Sequence, residues 1–287
     1  MQNNNLLKTV NLQVGYGKKK KIVLIDNFNY SFAKNKIYFI MGKTGCGKTT
    51  LVSHFNGLRR SKQGDIFIKD YSILASKHRI RDFKDIRKIV QLVFQFPEKQ
   101  LFKSTVIDDV CYGPICLGID KAKAKALAKD HLNKLGIDDH LFKESPFTLS
   151  NGQKRKVAIA GILAITPDIF IFDESMAGLD AKSEHEMLDI IRDLKKQGKT
   201  IIVVSHNSNH ALELADEVLI LHNKQVHSFN NVYELFTKYN NLNQFGLEQP
   251  NIIKTINMLG YSSLHKMQAR NIEQLAKAIN SYKKGGK

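Results

Sequence analysis

The run Gly42-Lys43-Thr44-Gly45-Cys46-Gly47-Lys48-Thr49 constrains this chain more than any other. It fits G-x-x-x-x-G-K-[ST], with a short apolar stretch before it at 36–41 and a helix-forming stretch after it at 48–57. Strand, glycine loop and helix in that order form the setting a phosphate-binding loop requires. The glycines let backbone N–H groups close around phosphate oxygens, and the helix N-terminus adds positive potential. Lys48 then reaches the β and γ phosphates, and the Thr49 hydroxyl can ligate Mg²⁺. The candidate phosphate-binding residues are Gly42, Lys43, Thr44, Gly45, Cys46, Gly47, Lys48, Thr49 and Thr50. Cys46 reads in two ways, as a small filler between glycines or as a thiol whose pKa a helix end lowers.

A phosphate loop needs a metal-binding acid and a group that activates water. Residues 169–172 form a hydrophobic strand ending in Asp173 and Glu174. Asp173 is expected to bind Mg²⁺, directly or through water, and Glu174 to polarise the attacking water, a general-base role worth about 10²–10⁴-fold. The blander reading of two acids at a strand end is a helix cap. Residues 200–204 repeat the pattern and deliver Ser205 and His206 at the carboxyl end, where ligands bind in open α/β sheets. His206 is expected to contact the γ phosphate. His54, His131, His140 and His222 lack such a setting and read as structural.

At 287 residues the chain is expected to hold one large domain with an appendage, or two small domains. Strand patterns at 7–14, 21–25 and 27–32 suggest an antiparallel subdomain. Further strands are expected at 65–69 and 89–94. The stretch 104–135 reads as an inserted helical subdomain, clearest over 121–135. Helix 153–165, strand 168–172, helix 181–197 and strand 200–205 alternate as parallel βα units do. A short helix at 209–215 leads to strands at 218–221 and 225–229. After 230, short amphipathic helices at 233–239, 250–259 and 272–279 suggest a C-terminal appendage.

Hydrophobic residues at 43% and charged residues at 25% indicate a folded chain. No apolar run approaches the roughly 20 residues that span a bilayer. The N-terminus has no basic region followed by a hydrophobic segment, so no signal peptide is expected and the chain is expected in the cytosol. Three cysteines without a CxxC pair indicate neither a disulfide framework nor a zinc site. The net charge of +17 fits a nucleic-acid partner, an anionic membrane surface, or simply solvated lysines spread by Lys-heavy codon usage. Its compact pieces are the run 18–21 and the end at Lys283, Lys284 and Lys287.

Leu149-Ser150-Asn151-Gly152-Gln153 resembles the LSGGQ signature of ATP-binding cassette (ABC) ATPases. The order of phosphate loop, Gln95, signature, Asp173-Glu174, Gly178-Leu179-Asp180 and His206 is similar to that family's order of motifs. The resemblance implies an α/β P-loop NTPase of the ABC ATPase fold. Its parts are a RecA-like parallel sheet core, an N-terminal antiparallel β subdomain, an inserted helical subdomain at about 96–163 and a small α-rich C-terminal extension. The ABC domain is expected over 1–230, and 231–287 is expected to serve dimerisation.

The resemblance also implies ATP and Mg²⁺ as ligands. It implies a head-to-tail pair of ATPases, in which the signature of one completes the ATP site on the phosphate loop of the other. Tyr16 is then expected to stack on adenine, with simple packing as the competing reading. Gln95 is expected to sense Mg²⁺ and the γ phosphate, the signature to meet the partner's ATP through Ser150 and Gly152, and Asp180 to lie at the dimer seam.

The run at 94–102, Phe-Gln-Phe-Pro-Glu-Lys-Gln-Leu-Phe, resembles the FQ-x-PE-x-QLF region of energy-coupling factor ATPases. Thr105-Val106, Asp109-Val110 and Gly113-Pro114 continue the likeness. Such ATPases drive uptake of vitamins and trace metals through a transmembrane coupling subunit and a separate substrate-binding membrane protein. The chain is therefore expected at the cytoplasmic face of the membrane, with Glu98 facing the coupling subunit or standing as an exposed loop acid.

Two positions depart from the family pattern: Asn151 replaces a usual Gly, and Ser175-Met176 replaces a usual Pro-Thr. A side chain at 151 is expected to weaken the composite site that uses this signature, although Asn tolerates left-handed conformations well. Competing readings are a non-transport cassette ATPase acting on nucleic acid or a macromolecular complex, and a regulatory subunit with little turnover.

Overall fold

The computed structural model describes residues 5–17, 22–61, 63–73, 83–239, 241–260 and 262–285. The basic run at 18–21 and Lys287 lie outside the described residues. β1 (Asn5–Tyr16) and β2 (Ile22–Ala33) pair as a long antiparallel ribbon. The sequence reading breaks β2 at Asp26, but the strand runs on through it. Leu12↔Phe28 is followed by Val14↔Ile25, and Asn27 takes φ 51°, so a bulge absorbs the polar interruption. β3 (Ile37–Met41) is buried at every position and leads through the glycine loop into α1 (Lys48–Phe55). β4 (Asp65–Ile68) and β5 (Tyr71–Ser72) complete a sheet of order β2-β1-β4-β5.

Residues 84–89, mostly unassigned in the sequence reading, form α2 (Lys84–Ile89), and only then does β6 (Val90–Val93) begin. The expected helical stretch 104–135 divides into α3 (Val106–Cys116) and α4 (Lys121–Lys134). Gly118 at φ 91° breaks the run, and the Asp120 side chain caps α4 by accepting from the N–H groups of Ala122 and Lys123. α5 (Asn151–Leu163), β7 (Ile169–Asp173), α6 (Ala181–Lys196), β8 (Thr200–Val204) and α7 (Ser208–Leu214) follow the expected alternation. β9 (Glu217–His222) and β10 (Gln225–Phe229) form a hairpin, and α8 (Val232–Lys238), α9 (Asn251–Leu259) and α10 (Ile272–Gly285) follow.

The central sheet has the order β10-β9-β3-β8-β7-β6, parallel apart from β10. Both faces are covered, which is why β3, β7 and β8 are almost unbroken apolar runs. Phe39, Phe170, Phe172 and Val203 pack against Ile159, Met187, Ile191 and Ala211 on one face. Tyr38, Ile40, Ile171 and Val204 pack on the other against Leu51, Phe55 and the antiparallel sheet's Leu7, Leu12 and Phe32. Each such aliphatic side chain, fully buried, contributes about 1.5–3 kcal/mol. Glu217 takes both the Tyr30 hydroxyl and the Lys36 ammonium, pinning one sheet to the other.

α5 is shared: Ile159 and Leu163 join the central core, while Val157 and Ala160 join a separate helical core with Val106, Val110 and Leu132. The stretch expected as an appendage divides in its packing. Val232, Phe236, Phe245, Leu247 and Ile253 belong to the central core, and a small separate cluster holds Ile256, Leu264, Ala269, Leu275 and Ala278. The architecture is thus a mixed α/β fold with a parallel core sheet, an N-terminal antiparallel sheet, a helical insertion and an α-rich C-terminal segment.

Candidate nucleotide site

β3, β8 and β7 are neighbours in the sheet, so their carboxyl ends bring three loops together. At the end of β3, Gly42 takes φ 140° and Gly47 φ 108°. A Cβ at Gly42 would lie 2.6 Å from the Leu221 carbonyl oxygen, so the loop's close approach to β9 requires glycine there. Lys48 opens α1 and is nearly buried. Its Nζ donates to the carbonyls of Gly42 at 2.8 Å and Lys43 at 3.2 Å, so the loop curls around the ammonium. Lys43, Thr44, Gly45 and Thr49 are exposed, while Thr50 and Cys46 are half-buried. Burial pushes the Cys46 thiol up, against the pull of Lys48, which makes it a neutral filler and overturns the reading of a lowered thiol pKa.

Asp173 is the last residue of β7 and nearly buried. Thr49 Oγ1 donates to its Oδ1 at 3.0 Å. Burial raises the carboxyl pKa; the Thr49 hydrogen bond opposes this and the Glu174 charge adds to it. A hydroxyl and a carboxylate oxygen side by side suit a hard cation such as Mg²⁺, which takes few protein ligands and keeps phosphate oxygens and water for the rest. Among the described residues no group of three His, Cys, Asp or Glu is placed to hold a metal ion.

Glu174 stands in the left-handed region at φ 50°, an uncommon setting for a non-glycine residue. Its N–H donates to the Val204 carbonyl at 3.0 Å, which ties the turn to β8. Its Oε2 lies 3.2 Å from His206 Nδ1, within reach to accept from the tautomer that carries a proton there. Asn207 then caps α7 by accepting from the N–H of Asn209 at 2.9 Å.

Gln95 lies two residues past β6 and is exposed. Its carbonyl, with that of Ser175, accepts from one nitrogen of Arg155, Nη2, at 2.9 Å and 3.1 Å respectively. Arg155 Nε also lies 3.7 Å from Glu98 Oε2, so Glu98 is partnered within the chain and is not a bare loop acid. The sequence reading misses Arg155 because, between Lys154 and Lys156, it looks like a solvated charge. Only its place one helical turn before the buried Ile159 hints that it faces inward. His210 is missed too: its Nε2 lies 3.1 Å from Glu184 Oε1 and 3.2 Å from Asn207 Nδ2.

The signature residues hydrogen-bond with one another at the start of α5. Ser150 Oγ accepts from the Gln153 N–H at 3.3 Å, and the Ser150 N–H donates to Gln153 Oε1 at 3.0 Å, a capping box. Leu149 is buried in the helical core. Asn151 is the first helical residue and has no positive φ, so its side chain adds no backbone strain. Asp180 caps α6 by accepting from the Ser183 N–H at 2.8 Å, and these bonds hold its exposed carboxyl below the usual range. Tyr16 ends β1 with its ring half-exposed, outside the core.

Comparison with known proteins points to one family. The ABC transporter family model matches residues 25–177. The Mycoplasma pneumoniae protein "Energy-coupling factor transporter ATP-binding protein EcfA2" is 44% identical over 288 aligned positions, covering 98% of this chain and 95% of the relative. The protein of that name in Mycoplasma genitalium is 45% identical, covering 90% and 87%. Among solved structures, cbiO1 from Clostridium perfringens, described as part of the ABC transporter complex cbiONQ, superposes with a TM-score of 0.72. It is 27% identical, with coverage of 92% of this chain and 98% of that one. The dimeric cassette MJ0796 bound to ADP and Pi shares the fold at a TM-score of 0.68 and 24% identity, covering 78% and 98%. With a nucleotide-binding layout at its strand ends and relatives of this similarity over nearly its full length, the chain belongs to the ATP-hydrolysing ABC transporter family, among the energy-coupling factor ATP-binding proteins.

Proposed function

We propose that this ATPase powers an energy-coupling factor importer for vitamins or other micronutrients. It works as a peripheral subunit at the cytoplasmic face of the membrane, beside a second ATPase, a transmembrane coupling subunit and a separate substrate-binding membrane protein. The observation that carries the reading is the joining of Thr49 to Asp173 and of Glu174 to His206 at adjacent strand ends, in a chain so similar to EcfA2 proteins.

The chemistry follows from those contacts. The phosphate loop and Lys48 hold the ATP phosphates, trading the carbonyl bonds of Lys48 for phosphate oxygens. Thr49 and Asp173 would hold Mg²⁺, with Gln95 as a further candidate ligand, and the ion would supply Lewis-acid charge stabilisation at the phosphates. Glu174 takes the proton of the attacking water, and His206 orients that carboxylate while remaining placed to reach the γ phosphate. Ser150 and Gly152 face the ATP of the partner ATPase, Asp180 lies at the seam, and Tyr16 stacks on adenine. Asn151 crowds the partner's phosphates by its side chain alone, so the two ATP sites differ in strength where the second ATPase is a paralogue with Gly at this place and are weakened alike where it is a second copy.

The test is a gentle detergent pull-down of the chain from its own cells, with ATPase assays on the wild type and on Glu174→Gln. Recovery of a second ATPase and a polytopic membrane protein, with Glu174-dependent turnover, supports the importer. Recovery of nucleic acid or soluble partners alone, lost steeply as salt rises, overturns the transport reading and leaves the ATPase standing.

A further inference from the structure

The C-terminal segment touches two loops of the nucleotide site. Gly246, at φ +71°, lies against the phosphate loop: a Cβ there would sit 2.7 Å from Lys43 Cγ and 3.3 Å from Lys43 Cα. Five residues on, the N–H of Asn251 donates to Asn209 Oδ1 at 2.8 Å. Asn209 is in the first turn of α7, three residues past His206. The residues between these contacts are anchored. Leu247 is buried in the central core with Phe245 and Ile253. Gln249 Nε2 donates to the Phe236 carbonyl at 3.2 Å, and its Oε1 accepts from Asn257 Nδ2 at 3.3 Å. Arg270 Nη1 donates to the Ala215 carbonyl at 2.9 Å, just past α7, a second tie between the C-terminal segment and that helix.

We propose that residues 246–251 form a strap that positions the phosphate loop and the His206 loop of the same chain, so that the C-terminal segment serves ATP binding directly. The inference rests on reading 42–49 as the ATP site. Lys43, Thr44 and Gly45 are exposed, and a loop free to sample conformations loses that freedom on gripping phosphate. A strap bound to the core and seated on the Lys43 stem removes part of that cost beforehand. Gly246 is what lets the two backbones approach so closely.

Gly246→Asn isolates the contact, because Asn accepts the left-handed conformation while placing a Cβ against Lys43. In the full chain, the Kd for a fluorescent ATP analogue with Mg²⁺ is expected to rise about tenfold, the scale of an overpacked contact. In the assembled ATPase, KM is expected to rise with it while kcat at saturating ATP changes less than about twofold. Adding Lys43→Ala removes Lys43 Cγ and is expected to bring Kd back to that of Lys43→Ala alone. An unchanged Kd, or the same rise in both Lys43 backgrounds, overturns the strap.

Should Gly246→Asn not fold, Asn209→Ala decides the matter. It is expected to lower kcat about threefold, the loss of one hydrogen bond's positioning, with recovery in Asn209→Asp, which keeps the acceptor oxygen. Unchanged turnover in Asn209→Ala overturns the strap. Absence of ATP binding in the wild-type chain instead removes the reading of 42–49 on which it rests.

Discussion

Thr49 and Asp173 stand 124 residues apart in sequence and meet at 3.0 Å, the hydroxyl donating to the carboxylate. The contact closes the gap between the phosphate loop and the end of β7. It also holds a carboxylate in a place where burial penalises its charge.

The penalty gives Asp173→Asn opposite effects on folding and function. A carboxyl whose pKa is raised in the folded state costs stability when ionised, so at neutral pH the charge opposes folding. Asn keeps an oxygen to accept from Thr49 but carries no charge. Without Mg²⁺ or nucleotide the variant is expected to melt at the wild-type temperature or above it. Its half-saturating Mg²⁺ for ATPase activity is expected to rise about tenfold or more, as loss of a charged ligand predicts. A melting temperature several degrees lower, with unchanged Mg²⁺ dependence, would refute the assignment.

Glu174 and His206 share one hydrogen bond and are expected to act as a unit. Glu174→Gln should lower kcat by about 10²–10⁴-fold and leave the ATP Kd within about twofold. His206→Ala should lower kcat too. The double variant should be little worse than Glu174→Gln alone, because groups acting on one step are strongly non-additive. Multiplying losses in single-turnover assays would show that His206 works independently of Glu174.

The strand ends of this site were legible in the sequence because a buried parallel strand is an apolar run that stops abruptly at a polar residue, as at Phe172-Asp173 and Val204-Ser205. Lys48, Thr49, Asp173, Glu174 and His206 all follow such stops. Arg155 was not legible, since its burial comes from the meeting of α5 with the Gln95 and Ser175 loops, and a KRK run carries no trace of that. The Gly246–Lys43 approach was hidden for the same reason: it joins residues about 200 positions apart through a turn with no periodic signal. α2 escaped because six residues give too few turns for a helical period to stand out from the strand that follows.

Arg155 bridges the Gln95 and Ser175 carbonyls from a single guanidinium, with Glu98 on its other side. A lysine matches its charge, but its one ammonium nitrogen cannot bond both carbonyls and also set a second nitrogen beside Glu98. Arg155→Lys is therefore expected to lower kcat about three- to tenfold with little change in the ATP Kd, and Arg155→Ala to lose about 1–3 kcal/mol of stability as well. Glu98→Gln, which removes only the charge partner, should be milder than either in the isolated ATPase. Wild-type turnover in Arg155→Lys would mean that joining the Gln95 and Ser175 loops is dispensable for catalysis.

His54 connects the fold beside the phosphate loop to acid stability. It is fully buried in α1, its Nδ1 donates to the Thr50 carbonyl at 2.6 Å, and burial lowers its pKa from the ordinary 6.5. The unfolded chain therefore takes up a proton near pH 6.5 that the folded chain refuses, so stability is full above that pH and falls as the solution is acidified below it. The slope for one such histidine reaches at most about 1.4 kcal/mol per pH unit. Denaturant melts of the wild type between pH 7.5 and 5 should show this decline, and His54→Gln, which keeps a donor of similar reach, should flatten it. Equal slopes in the two proteins would assign the acid sensitivity to other groups, with His131 and His210, both also lowered by burial, as the next to replace.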